Sequence, residues 1–324
     1  MSYDVFGMCN PLYDIQAEVT DAVLKTTGYD KGGMSLIDED QQKALVGAIY
    51  EQIVNAEPGG SGANTMIGVA QLGGKACFTG KLASDEHGSL YAGGLSDKGV
   101  RLTTQAGKGV TGISVVLITP DAERTMCTFL GASRELGPND IDIDALAASK
   151  YLYVTGYLWD TDSQKAAVLH AMTTARTHGV RVSLSLSDPF CVLRHRDEFR
   201  QIIAEHVDLL FGNAEEMQEL TNTSTPEDAI RATEEICDMA AITCGAAGSL
   251  IRSGSSVIAI PAYEVTPVDT TGAGDMYASG ILYGITAGLP LDKTGRIASY
   301  LASRVVSSLG PRLKAIDLEI IRDL

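Results

Sequence analysis

A chain of 324 residues with 45% hydrophobic content can bury a large core, either as one domain or as a large domain carrying a smaller one. Its 41 acidic against 25 basic side chains give a formal charge of -16, which excludes general affinity for nucleic acid or anionic lipid, so an anionic ligand needs local neutralisation. Six cysteines, at 9, 77, 127, 191, 237 and 244, are scattered without a C-x-x-C pair or a histidine at metal-ligand spacing, and read as small buried hydrophobes in a reducing cytosol.

The opening residues lack a basic region, and no run of about 18 apolar residues occurs anywhere, so no secretion signal or membrane span is expected. Tyr3 to Met8 reads as a strand that stops at Cys9-Asn10-Pro11, because proline cannot continue a ladder. Strand ends of open sheets are where ligands bind, which makes Asn10 and Asp14 candidate polar contacts, with a plain turn before proline as the alternative for Asn10. Asp38 with Gln41 has the form of a capping box opening a packing helix through Ala44, Leu45, Ala48 and Ile49.

Pro58-Gly59-Gly60-Ser61-Gly62-Ala63-Asn64 is a glycine-rich turn running into a second helical pattern, with Asn64 projecting from its first turn. It is not G-x-G-x-x-G, and no lysine stands in a G-K-[ST] triplet, so neither a dinucleotide fingerprint nor a P-loop is supported. From 110 to 129 two β-branched segments flank a turn at 119–122, a hairpin signal that we read as part of a small sheet laid over the main domain. Arg124, just past that turn, is either a solvated edge charge or a cation that swings onto a phosphate when the sheet closes.

After residue 140 the order becomes strand 151–155, helix 163–178, strand 180–186, helix 195–204, strand 207–211 and strand 240–243. That alternation predicts a mostly parallel sheet with helices on both faces. Asn213 and Glu216, three apart after a strand, could hold a hydrated Mg²⁺ or form a capping box, and the two are compatible. Thr243-Cys244-Gly245-Ala246-Ala247-Gly248 is a glycine turn before a hairpin over 249–260, a weak candidate for a nucleotide cradle.

Asp269-Thr270-Thr271-Gly272-Ala273-Gly274-Asp275 combines small residues, the start of a helix over 276–287 and a carboxylate at that start. Free amides at a helix N-terminus make an anion site, and for a transferring phosphoryl group Asp275 stands where a general base belongs. The competing reading is that Thr271 or Asp275 caps the helix and the glycines form a turn. A last long helix is expected over 296–307, introduced by Asp292 and ended by Gly310-Pro311.

The ordered motifs G-G-x-x-x-N at 59–64, N-x-x-E at 213–216, T-x-G-x-x-G at 243–248 and D-T-T-G-A-G-D at 269–275 resemble those of the ribokinase-like (PfkB) small-molecule kinases, over nearly the whole chain. Within that family the string from Phe6 to Ile15, with N-P-L-x-D-I, is similar to the opening of adenosine kinases, as are Ser187-Asp188-Pro189-Phe190 and 207–213. The resemblance implies an α/β, Rossmann-like core (residues 1–10, 59–99 and 133–324) with a small β-sheet lid (11–58 and 100–132). It implies Asp275 as the base acting on a nucleoside 5′-hydroxyl, the amides of Gly272, Ala273 and Gly274 as the anion hole, and Arg124 as a lid arginine on the transferring phosphate. Asp14, Gly60 and Asn64 would hold the ribose with Asn10 nearby, while Phe190, Leu12 and Ile37 enclose the base. Asn213 and Glu216 would organise Mg²⁺, with Thr243, Gly245 and Gly248 lining the ATP site. Asp269 and Thr271 fall where some members bind K⁺ through backbone oxygens. Cys9 and Ser35 depart from the glycine and glutamine familiar in adenosine kinases, which bears on the choice of base more than on the chemistry. The expected protein is thus a cytoplasmic, ATP-dependent kinase converting adenosine to AMP, as monomer or homodimer. A kinase of inosine, guanosine or a sugar such as ribose or fructose, and a non-catalytic nucleoside sensor, are the alternatives.

Overall fold

The computed structural model describes residues 2–104, 106–121 and 123–324, so Ala122, in the turn expected at 119–122, lies outside the described residues together with Met1 and Gln105. Its strands are, in chain order, β1 Tyr3–Met8, β2 Leu12–Glu18, β3 Met34–Leu36, β4 Ile53–Gly59, β5 Ala76–Thr79, β6 Leu82–Ala83, β7 Arg101–Leu102 and β8 Ala106–Gly107. They continue with β9 Gly112–Ile118, β10 Arg124–Phe129, β11 Ser149–Thr155, β12 Arg181–Ser185, β13 Leu209–Asn213, β14 Met239–Thr243, β15 Ser249–Ser253 and β16 Ser256–Ile260.

The large sheet runs β16-β15-β14-β13-β12-β11-β1-β5-β7. Every pair from β14 to β7 is parallel, and the two antiparallel pairings, β14 with β15 and β15 with β16, lie at the other edge. Helices cover both faces, so both sets of alternating side chains are apolar: Val5, Tyr151 and Tyr153 pack into one cluster, Phe6, Met8, Leu152 and Val154 into another. The smaller sheet runs β3-β10-β9-β2-β4 and contains the expected hairpin, β9 against β10. Arg101–Leu102, numbered with the lid segment above, pairs instead with β5 at the edge of the large sheet.

The exit at Pro11 leads directly into the small sheet: Leu12–Glu18 is the strand β2, paired with β4 and β9, because proline stands before its first residue and costs the ladder no donor. Two expectations need correction. The helix expected from His195 begins six residues earlier and spans Pro189–His206, with Asp188 accepting the Cys191 N–H as its cap and non-helical dihedrals at His195. The last long helix spans Leu291–Val306 behind Pro290, so neither Asp292 nor Gly310-Pro311 sets its ends.

Among the described residues no helix is long and apolar enough to cross a membrane.

Candidate active site

The helix Ala273–Thr286 carries no side-chain cap, and its N-cap is Gly272, at φ +78°. A β-carbon at Gly272 would stand 2.0 Å from the Pro311 carbonyl oxygen, so both the dihedral and the space demand glycine. This rules out a cap from Thr271 or Asp275: the Thr271 N–H is itself bound by Asp269 Oδ1 at 3.0 Å. The Ala273 N–H turns back to Thr270 O at 3.2 Å, while Gly274 lies exposed at the helix mouth.

Asp275, in the first turn, points across to a second helix, Ser61–Gln71. Its Oδ1 accepts from Ser61 Oγ at 2.5 Å and its Oδ2 from Asn64 Nδ2 at 2.9 Å. The two helices approach closely where Gly68 faces Ser279, a β-carbon there meeting Ser279 Oγ at 2.5 Å. Burial raises the pKa of Asp275 above its ordinary value, and the bonds from Ser61 and Asn64 and the charge of Arg312 oppose the rise. A carboxylate with two donors fixed and a lifted pKa can take a proton from an alcohol held beside it.

Gly60, the N-cap of Ser61–Gln71, has φ +87°, and a β-carbon there would meet Asn10 O at 2.6 Å. The strand exit at Asn10 is therefore pressed onto the glycine turn. Asp14, on β2, lays its carboxylate on Gly59, within 2.3 Å of where a β-carbon would be. Burial pushes Asp14 up to about 7, against the pull of Arg312 and Arg124. Asp14, Gly60, Asn64 and Asp275 thus share one site, where a carboxylate and an amide could bind vicinal hydroxyls.

Not every expected residue faces that site. Asn10 is buried at 4% exposure, its Nδ2 donating to Tyr157 O at 3.2 Å and its Oδ1 accepting from Gln164 at 2.7 Å. Both ends of the amide thus hold the strand exit in place. Ile37 belongs to the apolar cluster of Tyr13, Ile15, Leu45 and Cys127, which makes it core. Leu12 begins β2 opposite Gly59 and Gly112 and is half-buried. Phe190, on the first turn of Pro189–His206, is 71% exposed, so its ring is free to cover something.

Arg124 is no solvated edge charge. Its guanidinium is almost buried and ion-paired with Asp269 Oδ2, which also accepts the Gly310 N–H at 2.8 Å. With Thr271 N–H on Oδ1, both oxygens of the Asp269 carboxylate are engaged, so any K⁺ here would meet the backbone oxygens of Asp269 and Thr271 and not this side chain.

Asn213, Thr243 and Ser249 stand side by side at the ends of β13, β14 and β15. Cys244 N–H to Gly248 O at 2.8 Å closes the turn holding Gly245 and Gly248, and Tyr277 OH donates to Ser249 Oγ at 2.8 Å, tying the Asp275 helix to it. The Asn213–Glu216 capping box forms as expected, with Glu216 Oε2 accepting from Asn213 N at 3.0 Å and Oε1 from Asn213 Nδ2 at 2.8 Å. Burial, helped by Asp188 and Glu215, pushes Glu216 up to about 7. A nearby cation would hold it ionised, and oxygen is the donor Mg²⁺ takes. Among the described residues no group of three acidic, histidine or cysteine side chains could hold a metal, so such an ion would keep mostly water and phosphate oxygens.

Sequence reasoning missed Arg312. Only 8% of its side chain is exposed; it donates to Pro58 O and, at 3.2 Å, to Asn64 Oδ1, and pairs with Glu57 Oε2 at 2.5 Å. Its position after Gly310-Pro311 in an irregular segment carries no motif.

The family model for pfkB family carbohydrate kinases matches residues 34–317. The chain belongs to that family. It is 31% identical to the 5-dehydro-2-deoxygluconokinase of Bacillus subtilis (strain 168) over 261 residues, 77% of this chain and 80% of that one. Its structure superposes on the adenosine kinase from Sinorhizobium meliloti with a TM-score of 0.91 and 36% identity, covering 100% of this chain and 99% of the other. The Trypanosoma brucei brucei adenosine kinase shares the fold, with a TM-score of 0.85 at 24% identity over 95% and 100% of the two chains. This pfkB-family protein is a phosphotransferase acting on a sugar or nucleoside hydroxyl, with ATP as the donor its family implies.

Proposed function

We propose that this kinase transfers the γ-phosphoryl group of ATP to the 5′-hydroxyl of a nucleoside, adenosine before others. The observation that carries the reading is the Asp275 carboxylate, fixed by Ser61 and Asn64 at the mouth of a glycine-lined helix. Asp275 takes the hydroxyl proton as the oxygen attacks, and the helix-mouth amides of Gly272 and Gly274 face the charge that develops on the phosphoryl oxygens, the Ala273 N–H being turned back to Thr270 O. Asp14, Gly60 and Asn64 hold the ribose, Leu12 and the exposed ring of Phe190 cover the base, and the turn holding Thr243, Gly245 and Gly248 lines the ATP site. Asn213 and Glu216 hold hydrated Mg²⁺, which when bound supplies charge neutralisation for the phosphates. Segments 11–58 and 100–132, apart from β7 at the edge of the large sheet, act as a lid, and phosphate competes with Asp269 for Arg124 as it closes.

One feature supports a neutral nucleoside over a sugar acid. The Arg312 guanidinium is already paired with Glu57 and bonded to Pro58 O and Asn64 Oδ1, which leaves it no place for a substrate carboxylate. The adenosine kinase from Sinorhizobium meliloti and a probable sugar kinase from Rhizobium etli match the full chain equally, each with a TM-score of 0.91 at 36% identity. That sugar kinase and the 5-dehydro-2-deoxygluconokinase are the reason to keep a sugar kinase as the competing reading. Comparing kcat/KM for adenosine, inosine, guanosine, ribose, fructose 6-phosphate and 5-dehydro-2-deoxygluconate separates them. Adenosine should rank first; a tenfold preference for the sugar acid overturns the assignment.

A further inference from the structure

Arg312 has no role in the reading above, yet its bonds end on the groups that hold the proposed base. It lies in the irregular segment after Leu291–Val306, and that segment works as a strap. Gly310 N–H is bound to Asp269, the Pro311 carbonyl packs on Gly272, and Arg312 reaches Glu57, Pro58 and Asn64. The Asn64 amide has two ends, a carbonyl that accepts and an amino group that donates. Because Arg312 offers only donors, its bond to Asn64 Oδ1 obliges Nδ2 to face Asp275, where it donates at 2.9 Å. Without that bond the amide could turn and set a carbonyl against the carboxylate.

We propose that Arg312 is a positioning residue for phosphoryl transfer, fixing the orientation of the Asn64 amide and, through it, the direction in which Asp275 presents its free lone pairs to the acceptor hydroxyl. This rests on the reading of Asp275 as the base. The titratable groups facing Asp275 are Arg312, Asp14, Cys9, Tyr153 and Tyr157. Burial pushes the Cys9 thiol up to about 11 and raises both phenols, which keeps those three neutral, so Arg312 is the cation of the set. Removing its charge raises the pKa of Asp275.

The test uses the full-length kinase with the best substrate of the panel above and the variants Arg312→Met, Arg312→Lys, Asn64→Ala, Arg312→Met with Asn64→Ala, and Asp275→Asn. Misplacing the base costs kcat on the order of 10- to 100-fold, so Arg312→Met should lose that much with KM for ATP unchanged. The acidic limb of its kcat/KM profile should move to higher pH. Arg312→Lys should restore the limb but recover only part of kcat, since an ammonium keeps the charge and loses the fork. The double variant should be no slower than Asn64→Ala alone. Wild-type kcat and limb in Arg312→Met, or losses that multiply in the double variant, overturn the proposal. If Arg312→Met does not fold, full kcat in Arg312→Lys overturns it. Turnover retained by Asp275→Asn would instead sink the reading of the base, so the two failures are distinguishable.

Discussion

The Ser61 hydroxyl lies 2.5 Å from Oδ1 of Asp275 and donates to it across 214 positions of sequence. The first turn of one helix brings Ser61 and Asn64 to the carboxylate in the first turn of the other, so the charge of Asp275 is stabilised by two side-chain donors. Burial works the other way, and the balance leaves the group with a raised pKa. Such opposition suits a base that must be ionised at neutral pH yet still hold a proton for an instant.

Replacing Asp275 by Asn should lower kcat by about 10²- to 10⁴-fold, the range for losing a general base, while ATP binding measured by calorimetry persists. Ser61→Ala should be milder, about 10-fold, which matches one hydrogen bond to a charged group. Because the Ser61 bond lowers the pKa of Asp275, its loss should also carry the acidic limb of kcat/KM upward. A limb that stays put while kcat falls would show that Ser61 acts elsewhere.

Asp14 and Glu216 should make the ligand-free protein less stable as the pH rises. Both titrate at about 7, far above the ordinary 3.8 and 4.5, chiefly because burial penalises the charge. Between those limits the folded chain binds more protons than the unfolded one, so unfolding free energy falls with pH, and the contribution present at pH 4 is lost by pH 8. Asp14→Asn should therefore raise Tm at pH 8 more than at pH 5, while raising KM for the nucleoside. An equal change of Tm at both values would contradict the assignment of Asp14 as the perturbed group.

The ion pair between Arg124 and Asp269 joins β10 of the small sheet to the loop before the Asp275 helix. Removing one partner strands a buried charge, a cost of about 3–5 kcal/mol, whereas replacing both by neutral side chains is far less damaging. Arg124→Met and Asp269→Asn should each lower Tm, and the double variant should recover much of the loss. If Arg124 also serves the transferring phosphate, kcat stays low in the double variant despite that recovery. Recovery of both together would confine Arg124 to holding the sheets.

The regular parts of the molecule were legible because their signals are local. The Asp38–Gln41 and Asn213–Glu216 capping boxes, the β9/β10 hairpin and the alternation after residue 140 all depend on neighbours a few residues apart. The start of the helix at Pro189 is written just as locally, in the cap Asp188 and the following proline, while His195, where the expected helix began, is the point of non-helical dihedrals inside it. What escaped was set by distance: the Arg312 contact with Asn64 spans 248 positions, and the Asn10 amide is claimed by Gln164, 154 positions away. A polar residue at a strand exit looks the same in sequence whether it faces ligand or another loop.

Gly272 and Gly274 separate architecture from chemistry within one motif. Gly272→Ala forces a side chain into a left-handed dihedral and onto the Pro311 carbonyl, so it should destabilise the protein strongly and remove activity by misfolding the loop. At Gly274 a β-carbon meets nothing within 4 Å, and the position is already helical. Alanine there should be neutral or stabilising, by up to about 1 kcal/mol from helix propensity alone. If the Gly274 amide faces the phosphoryl group, the added methyl crowds that approach, and kcat should fall while Tm holds or rises. Gly274→Ala with full kcat would place the anion elsewhere than at the mouth of this helix.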